Sequence, residues 1–355
     1  MAYLPLSTAN LPDPAIDPAQ GSVPSDYFNT VLYTGTGSSL DVTGVGFDPD
    51  FVWSKSRSNV TNHFLGDIVR GNDKCLFTDG TYAEATSTAY YDFITDGFNL
   101  GTGSSINASG YTYVAWNWKA NGSGVSNTDG SITSTVSANT ESGFSIVSYT
   151  GTGANATVGH GLDSAPEMII GKSRDNASTG WNVYHESTGN TGILQLNATG
   201  AFYANSVYWQ NTSPTNSVFT IGTQSEMNNL NEDIIAYCFH SVDGFSKFGS
   251  YTGNGSADGT FVYTGFRPAF VLIKLTSASG SEWVIFDDER NAYNLSNLHL
   301  YPNSSSSEQT AATNVLDMVS NGFKLRGSGA MVNTSGATYI YMAFAENPFK
   351  YSNAR

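Results

Sequence analysis

The side chains with the greatest chemical potential in this sequence fall into a few small sets. Asp67, His185 and Asp287 each follow, by a few residues, His63, Trp181 and Trp283, so they occupy one place in three related segments. A polar group there, at the rim of a β-sandwich, could bind a sugar hydroxyl or a Ca²⁺ ion. The plainer reading is a hydrogen bond that anchors a loop, and His185 in place of a carboxylate weakens a threefold metal site. Tyr203, Tyr208 and Trp209 would form a stacking platform for glycans if exposed, and core or subunit packing if not. Asp287-Asp288-Glu289 and Glu84 supply carboxylates for a glycoside-hydrolase pair, which needs two carboxyls about 5–9 Å apart; a solvated acidic loop is the plainer reading.

The sequence carries no metal-binding His/Cys cluster, no Gly-x-Ser-x-Gly elbow and no phosphate loop, since its repeated Thr-Gly-x-Gly precedes no helical segment. The expectation is a protein that is not an enzyme and has no cofactor, with structural Ca²⁺ as the one ion to consider. Lys55, Lys172 and Lys274 end apolar runs, where lysine commonly keeps a sheet from pairing with a neighbour; a row of partner-binding cations is the alternative.

Three landmarks recur in fixed order and define the elements that must position these residues. The first is Tyr33-Thr-Gly-Thr-Gly37, repeated from Tyr149 and, as Tyr-Thr-Gly-Asn-Gly, from Tyr251. The second is a Pro-led apolar run ending in Lys: Pro49 to Lys55, Pro166 to Lys172, Pro268 to Lys274. The third is a Phe step at Phe98, Phe219 and Phe323, an Asn-rich turn, and a terminal strand. In that strand Val114, Trp116 and Trp118 share one face, as do Ile235, Tyr237 and Phe239, and Ile340, Met342 and Phe344. The Pro-led runs are continuous, which predicts strands with both faces covered. Charged residues are only 13% of the chain, with 37 Gly and many Asp-Gly turns, a balance that favours short strands over long helices.

These patterns predict an all-β chain of three tandem antiparallel β-sandwich domains at 25–122, 123–242 and 243–355. The Pro-rich residues 1–24 read as an extended arm. Ser131 to Val136 reads as the first strand of the second copy. A net charge of −15 argues against nucleic-acid binding. Cys75 and Cys238 lie in different copies, too few for a disulfide framework. The start of the sequence lacks a basic leader, and no run of about 18 apolar residues occurs, so neither export by the general route nor membrane insertion is expected.

The strings Asp26-Tyr-Phe-Asn-Thr-Val-Leu-Tyr-Thr-Gly-Thr-Gly37, Val45-Gly-Phe-Asp-Pro-Asp-Phe-Val-Trp-Ser-Lys-Ser-Arg57 and Tyr113-Val-Ala-Trp-Asn-Trp-Lys119 carry a resemblance over nearly the whole chain. Asn127-Thr-Asp-Gly-Ser-Ile-Thr-Ser-Thr-Val-Ser-Ala-Asn139 and the ending from Ala345 add to it. The chain resembles a repeat domain of marine bacteriophage tail and particle proteins, similar to concanavalin A/laminin-G jelly rolls. That resemblance implies a virion component without a catalytic signature, exposed on the particle as a tail-fibre-like or host-attachment protein. Capsid decoration and a glycan-degrading tailspike are the alternatives. Other virion proteins, reached through the amino-terminal arm, and host surface glycans are the expected partners; a homo-oligomer, trimeric by analogy with fibres, is the expected assembly. Release by lysis is the expected route to the virion surface.

Overall fold

The computed structural model describes residues 11–102 and 105–352. The chain is all-β, built from several antiparallel sheets, and among the described residues α-helix is confined to the single turns Ser225–Asn228 and Ala330–Asn333. Each copy forms one large sheet from the same four strands in the same order. In copy 1 the opening strand Phe28–Thr34 pairs with the terminal strand Thr112–Trp118, which pairs with the Pro-led strand Phe51–Ser56, followed by His63–Asp67. Copy 2 repeats this with Phe144–Thr150, Asp233–Phe239, Met168–Ser173 and Asn182–His185. Copy 3 repeats it with Ser246–Thr252, Thr338–Pro348, Phe266–Leu275 and Val284–Asp287. The terminal strand is therefore internal in every sheet, and copy 2 adds beyond its opening strand a strand from Ser134 to Asn139, three residues later than its alternating pattern predicts, with Val125–Asn127 as the edge outside it.

A smaller sheet accompanies each large one: Leu40–Thr43, Gly97–Leu100 and Tyr91–Ile94 in copy 1, Ala156–Gly159 and Val218–Ile221 in copy 2, and Phe261–Tyr263, Gly322–Leu325 and Leu316–Val319 in copy 3. Between large and small sheets lie three separate apolar clusters. Val52, Ala115 and Phe98 belong to the first, Ile169, Ala236 and Phe219 to the second, and Val271, Ala343 and Phe323 to the third. The recurring Phe step thus fills one equivalent place in each copy.

The bulky faces of the terminal strands go elsewhere. Val114, Trp116 and Trp118, Ile235, Tyr237 and Phe239, and Ile340, Met342 and Phe344 all enter one common cluster, joined by Phe51, Trp53, Met168, Ile170, Phe270 and Leu272 of the Pro-led strands. Phe344 of copy 3 stacks on Phe28 of copy 1 at 5.0 Å and meets Trp118 at 5.6 Å and Phe239 of copy 2 at 6.2 Å. Phe51 of copy 1 meets Tyr237 of copy 2 at 4.5 Å. Alternation along the Pro-led strand therefore sends one face to the copy's own cluster and the next to the shared one, which is why those runs are continuously apolar.

The first landmark is explained by backbone geometry. A Cβ on Gly35, Gly151 or Gly253 would lie 2.2–2.3 Å from a carbonyl oxygen of the loop before the terminal strand, so only glycine permits the approach. Buried Asn107, Asn228 and Asn333 clip the same turn. Their Oδ1 atoms accept the backbone N–H of Thr36, Thr152 and Asn254, while their Nδ2 atoms donate to the carbonyls of Gly101, Gly222 and Gly327.

Residues 11–24 do not form the extended arm that their proline content suggests, and residues 1–10 lie outside the described residues. Short 3₁₀ turns at Pro18–Gln20 and Pro24–Asp26 fold this segment onto the body, and Ile16 is buried in the shared cluster. The Ala15 N–H donates to the Asp243 carbonyl, Tyr351 donates to Asp17, and Lys350 pairs with Asp13. Proline here sets turn dihedrals rather than an extended chain.

A shared core makes the three copies one cooperative unit. Calorimetry should show a single unfolding transition, and Trp118→Ala should lower its stability by about 3–5 kcal/mol without splitting it. Three resolved transitions would mean that the copies hold independent cores.

Candidate functional site

The repeated polar residues sit where copies meet. Asp67 is fully buried, and its Oδ2 accepts from Arg70 Nε and from the Tyr237 hydroxyl of copy 2 at 2.7 Å. Arg70 also reaches Glu84, whose carboxylate is gripped at 3.0 and 2.9 Å by Arg174 of copy 2. Burial alone would raise the Glu84 carboxyl, but the two guanidinium groups hold it below the ordinary carboxylate range.

Copies 3 and 1 meet in the same way. Asp287 accepts from Arg290 and from Trp116 Nε1 of copy 1, while Glu308 receives Arg290 and, in two bonds of 3.0 Å, Arg57 of copy 1. Copies 2 and 3 differ. His185 replaces the aspartate, Thr188 the following arginine, Phe202 the glutamate and Thr276 the facing arginine, although the backbone bond from Phe202 N–H to the Thr276 carbonyl matches those of Glu84 to Arg174 and Glu308 to Arg57. His185 Nδ1 accepts from the Ser187 N–H, so its Nε2 carries the proton and donates to the Tyr341 carbonyl of copy 3 at 3.3 Å. The copies thus touch head to tail, 1 to 2, 2 to 3 and 3 to 1, with Trp181 Nε1 donating to Phe77 and Trp283 Nε1 to Gln195 across the first two seams.

Several sequence expectations are corrected by this geometry. Asp67, His185 and Asp287 are not rim residues open to sugar or Ca²⁺, because each is at most 1% exposed and satisfied by the neighbouring copy. Lys55, Lys172 and Lys274 guard no edge, since the Pro-led strand lies inside the sheet. They are buried, and their ammonium groups donate to carbonyls at the strand end, as at Ser56 and Ser173, or in the loop beyond it, as at Ser281. Burial pulls all three down to about 8. Tyr203, Tyr208 and Trp209 form no common platform: Tyr203 is 48% exposed, whereas Tyr208 donates to Glu226 and Trp209 packs against Tyr184, both buried. Glu84 and Asp287 serve different seams, and Asp288, pushed up to about 7 mainly by burial, accepts from Arg267. Cys75 and Cys238 are free and buried, each in its own copy's cluster.

Sequence reading missed the arginines and the glutamate at Glu308. The signal was present as Asp67-x-x-Arg70 and Asp287-x-x-Arg290, against His185-x-x-Thr188. Among the described residues no three His, Cys, Asp or Glu side chains gather to hold a metal ion.

An open cavity of about 590 Å³ lies beside the folded amino-terminal segment. It is walled by that segment, Tyr27, the Thr140–Glu141 turn, Asp163 and the connection from His240 to Asp243. A saccharide-sized ligand fits such a volume.

The chain matches, over residues 23–348, the family described as Domain of unknown function (DUF7483). It belongs to that family. One DUF7483 domain spans all three copies and both kinds of core, in keeping with a unit that cannot be cut between copies. No curated protein matches the chain.

Two outcomes follow for the seams. Arg70→Ala leaves Asp67 and Glu84 without their shared cation and should cost about 3–5 kcal/mol in denaturant unfolding. Burial pulls His185 from 6.5 down to about 4. Its contribution to stability is therefore complete above pH 6.5 and is lost as pH falls towards 4, where the unfolded chain binds the extra proton. Between those pH values the parent should lose about 3 kcal/mol more than His185→Gln, and parallel stability curves would refute the assignment.

Proposed function

We propose that this DUF7483 protein is a non-enzymatic structural component of a bacteriophage particle, exposed on its surface in a tail-fibre-like or host-attachment role. In this reading the three copies are jelly-roll-like sandwiches fused into one block. The observation that carries it is the use of the repeated polar groups: Asp67, Arg70, Glu84 and Arg174, and their counterparts Asp287, Arg290, Glu308 and Arg57, saturate one another at seams between copies. Groups engaged in this way hold shape rather than turn over substrate. Resemblance of the sequence to phage particle proteins supplies the setting.

A single chain that already closes three copies around one core needs no partner chains to complete that core, so the working unit in this proposal is one chain rather than the homotrimer of fibre analogy. Docking to other virion proteins then falls to the ends or the outer faces of the block. A capsid-decorating protein is the second reading, favoured by the closure of residues 11–24 onto the body, which shortens any arm that could reach outward.

The test is antibody labelling of purified particles of the phage that encodes the chain, imaged by cryo-EM. Label at the tail tip supports attachment and label over the head supports decoration. Gradient-purified particles that lack the protein would overturn both.

A further inference from the structure

The outer backbone groups of the opening strand are treated differently in the three copies. An unpaired strand edge invites pairing with another chain, so folded proteins cover it or guard it with charge. In copy 2 it is covered: Ser134–Asn139 lies along Phe144–Thr150, with Thr135 opposite Ser148 and Ser137 opposite Ile146. In copy 3 the turn of residues 242–246 takes the first outward groups. Ser246 exchanges both backbone bonds with Val242, the Phe248 N–H donates to the Ser241 hydroxyl, and the Thr252 carbonyl accepts the Thr260 hydroxyl. Exposed Lys247 stands on the same strand.

Copy 1 has neither device. The Lys119 N–H donates to the Tyr27 carbonyl and the Gly35 N–H to that of Tyr111, which fixes the phase of the ladder between Phe28–Thr34 and the terminal strand. Odd-numbered residues of the opening strand therefore face that ladder, and even-numbered ones turn their N–H and C=O outward. Asn29 Oδ1 takes the Thr30 N–H, and Thr30 is buried. Beyond it the outward N–H and C=O of Leu32 and Thr34 meet no partner among the described residues. Leu32 stands where copies 2 and 3 have Ser148 and Ser250, yet it is 40% exposed, and Thr34 is exposed beside it. The strand carries no charged side chain. A shallow recess of about 230 Å³ adjoins it, walled by Leu32, Tyr33, Thr34, Arg57, Thr112 and Tyr113.

We propose that the edge at residues 32–34 of copy 1 receives an added antiparallel strand from a partner protein, as the equivalent edge of copy 2 receives Ser134–Asn139. The occupant is an extended segment without proline opposite Leu32, where both backbone bonds are exchanged, and with an apolar β-branched side chain there to cover the leucine. Main-chain bonds hold the strand and the leucine contact selects it. Thr30 shares a groove with Ala269, Asp288 and Ala345 of copy 3, so a single segment enters beside that wall more readily than the whole sheet of a second copy. This surface goes beyond the particle reading and is tested on the purified chain, apart from the labelling of particles.

The full-length protein is titrated by calorimetry with a peptide of its own residues 131–139, with the same peptide carrying Thr135→Val, and with one carrying Thr135→Pro, while amide hydrogen exchange is followed at Leu32 and Thr34. Saturable binding is expected, several-fold tighter with Thr135→Val and at least tenfold weaker with Thr135→Pro, and exchange at Leu32 and Thr34 should slow at least tenfold at saturation. In the protein, Leu32→Pro removes an N–H that the native ladder does not use, so the variant should melt close to the parent and bind at least tenfold more weakly. Thr34→Lys places a charge on the edge and should weaken binding several-fold, which keeps the test decisive if proline disturbs the strand. No saturable binding of any peptide, protection confined to other amides, or binding unchanged in both protein variants would overturn the site. Dimerisation of the parent that Leu32→Pro abolishes would assign the edge to a second copy of the chain and overturn the foreign strand.

Discussion

Nine bulky side chains from three terminal strands meet in one place, and the rest of the molecule is arranged around that meeting. Each terminal strand is the centre of its sheet, held on both sides by ladders, so its register is fixed before its outward face finds a partner. A slip of one residue would turn Trp116 and Trp118 away from Phe270 and Phe344 and expose several aromatic rings at once. Because each copy contributes a third of this cluster, removing one copy would leave the others with an open apolar face of a size that soluble proteins do not tolerate.

Polar groups at the seams are a consequence of that burial. Once the large sheets turn their bulky faces inward, the ends of their fourth strands are carried into contact with the neighbouring copy. Any charge there must be paired. Aspartate with arginine three residues on, closed by glutamate and a second arginine, is one solution; histidine, threonine, phenylalanine and threonine are another, in which no charge has to be neutralised. Both preserve the same backbone hydrogen bond, so the geometry of the seam is independent of the chemistry that fills it.

Much of this was legible in the sequence. The three landmarks mark the turn, the Pro-led strand and the terminal strand, and alternation in Tyr113 to Trp118 identifies the residues that share a face. What alternation cannot supply is the identity of whatever covers that face, so a core common to three copies looks like three private ones. For the same reason Asp67, His185 and Asp287 read as rim residues: each ends a strand beside a turn, and the chain that buries it lies far away in sequence. The lysines misled in another way. Lysine at the end of an apolar run suggests solvent, yet the three ammonium groups find carbonyls inside, a local arrangement that composition does not encode. The cavity at His240 left no signal, since its walls come from four separated stretches.

The seams also differ in how they are tethered. Between Phe239 and Ser246 only a short connection joins copy 2 to copy 3, and that junction is the one without the ionic lattice. Copies 3 and 1 are joined by no peptide at all, and there the lattice is complete. A tight covalent leash supplies proximity at the one junction, whereas the other must secure its alignment by charge and by the directional grip of guanidinium on carboxylate. The polypeptide is in this sense a ring with a gap in its covalent circumference, fastened across that gap by ion pairs whose burial shields them from the screening that added salt imposes on exposed charges.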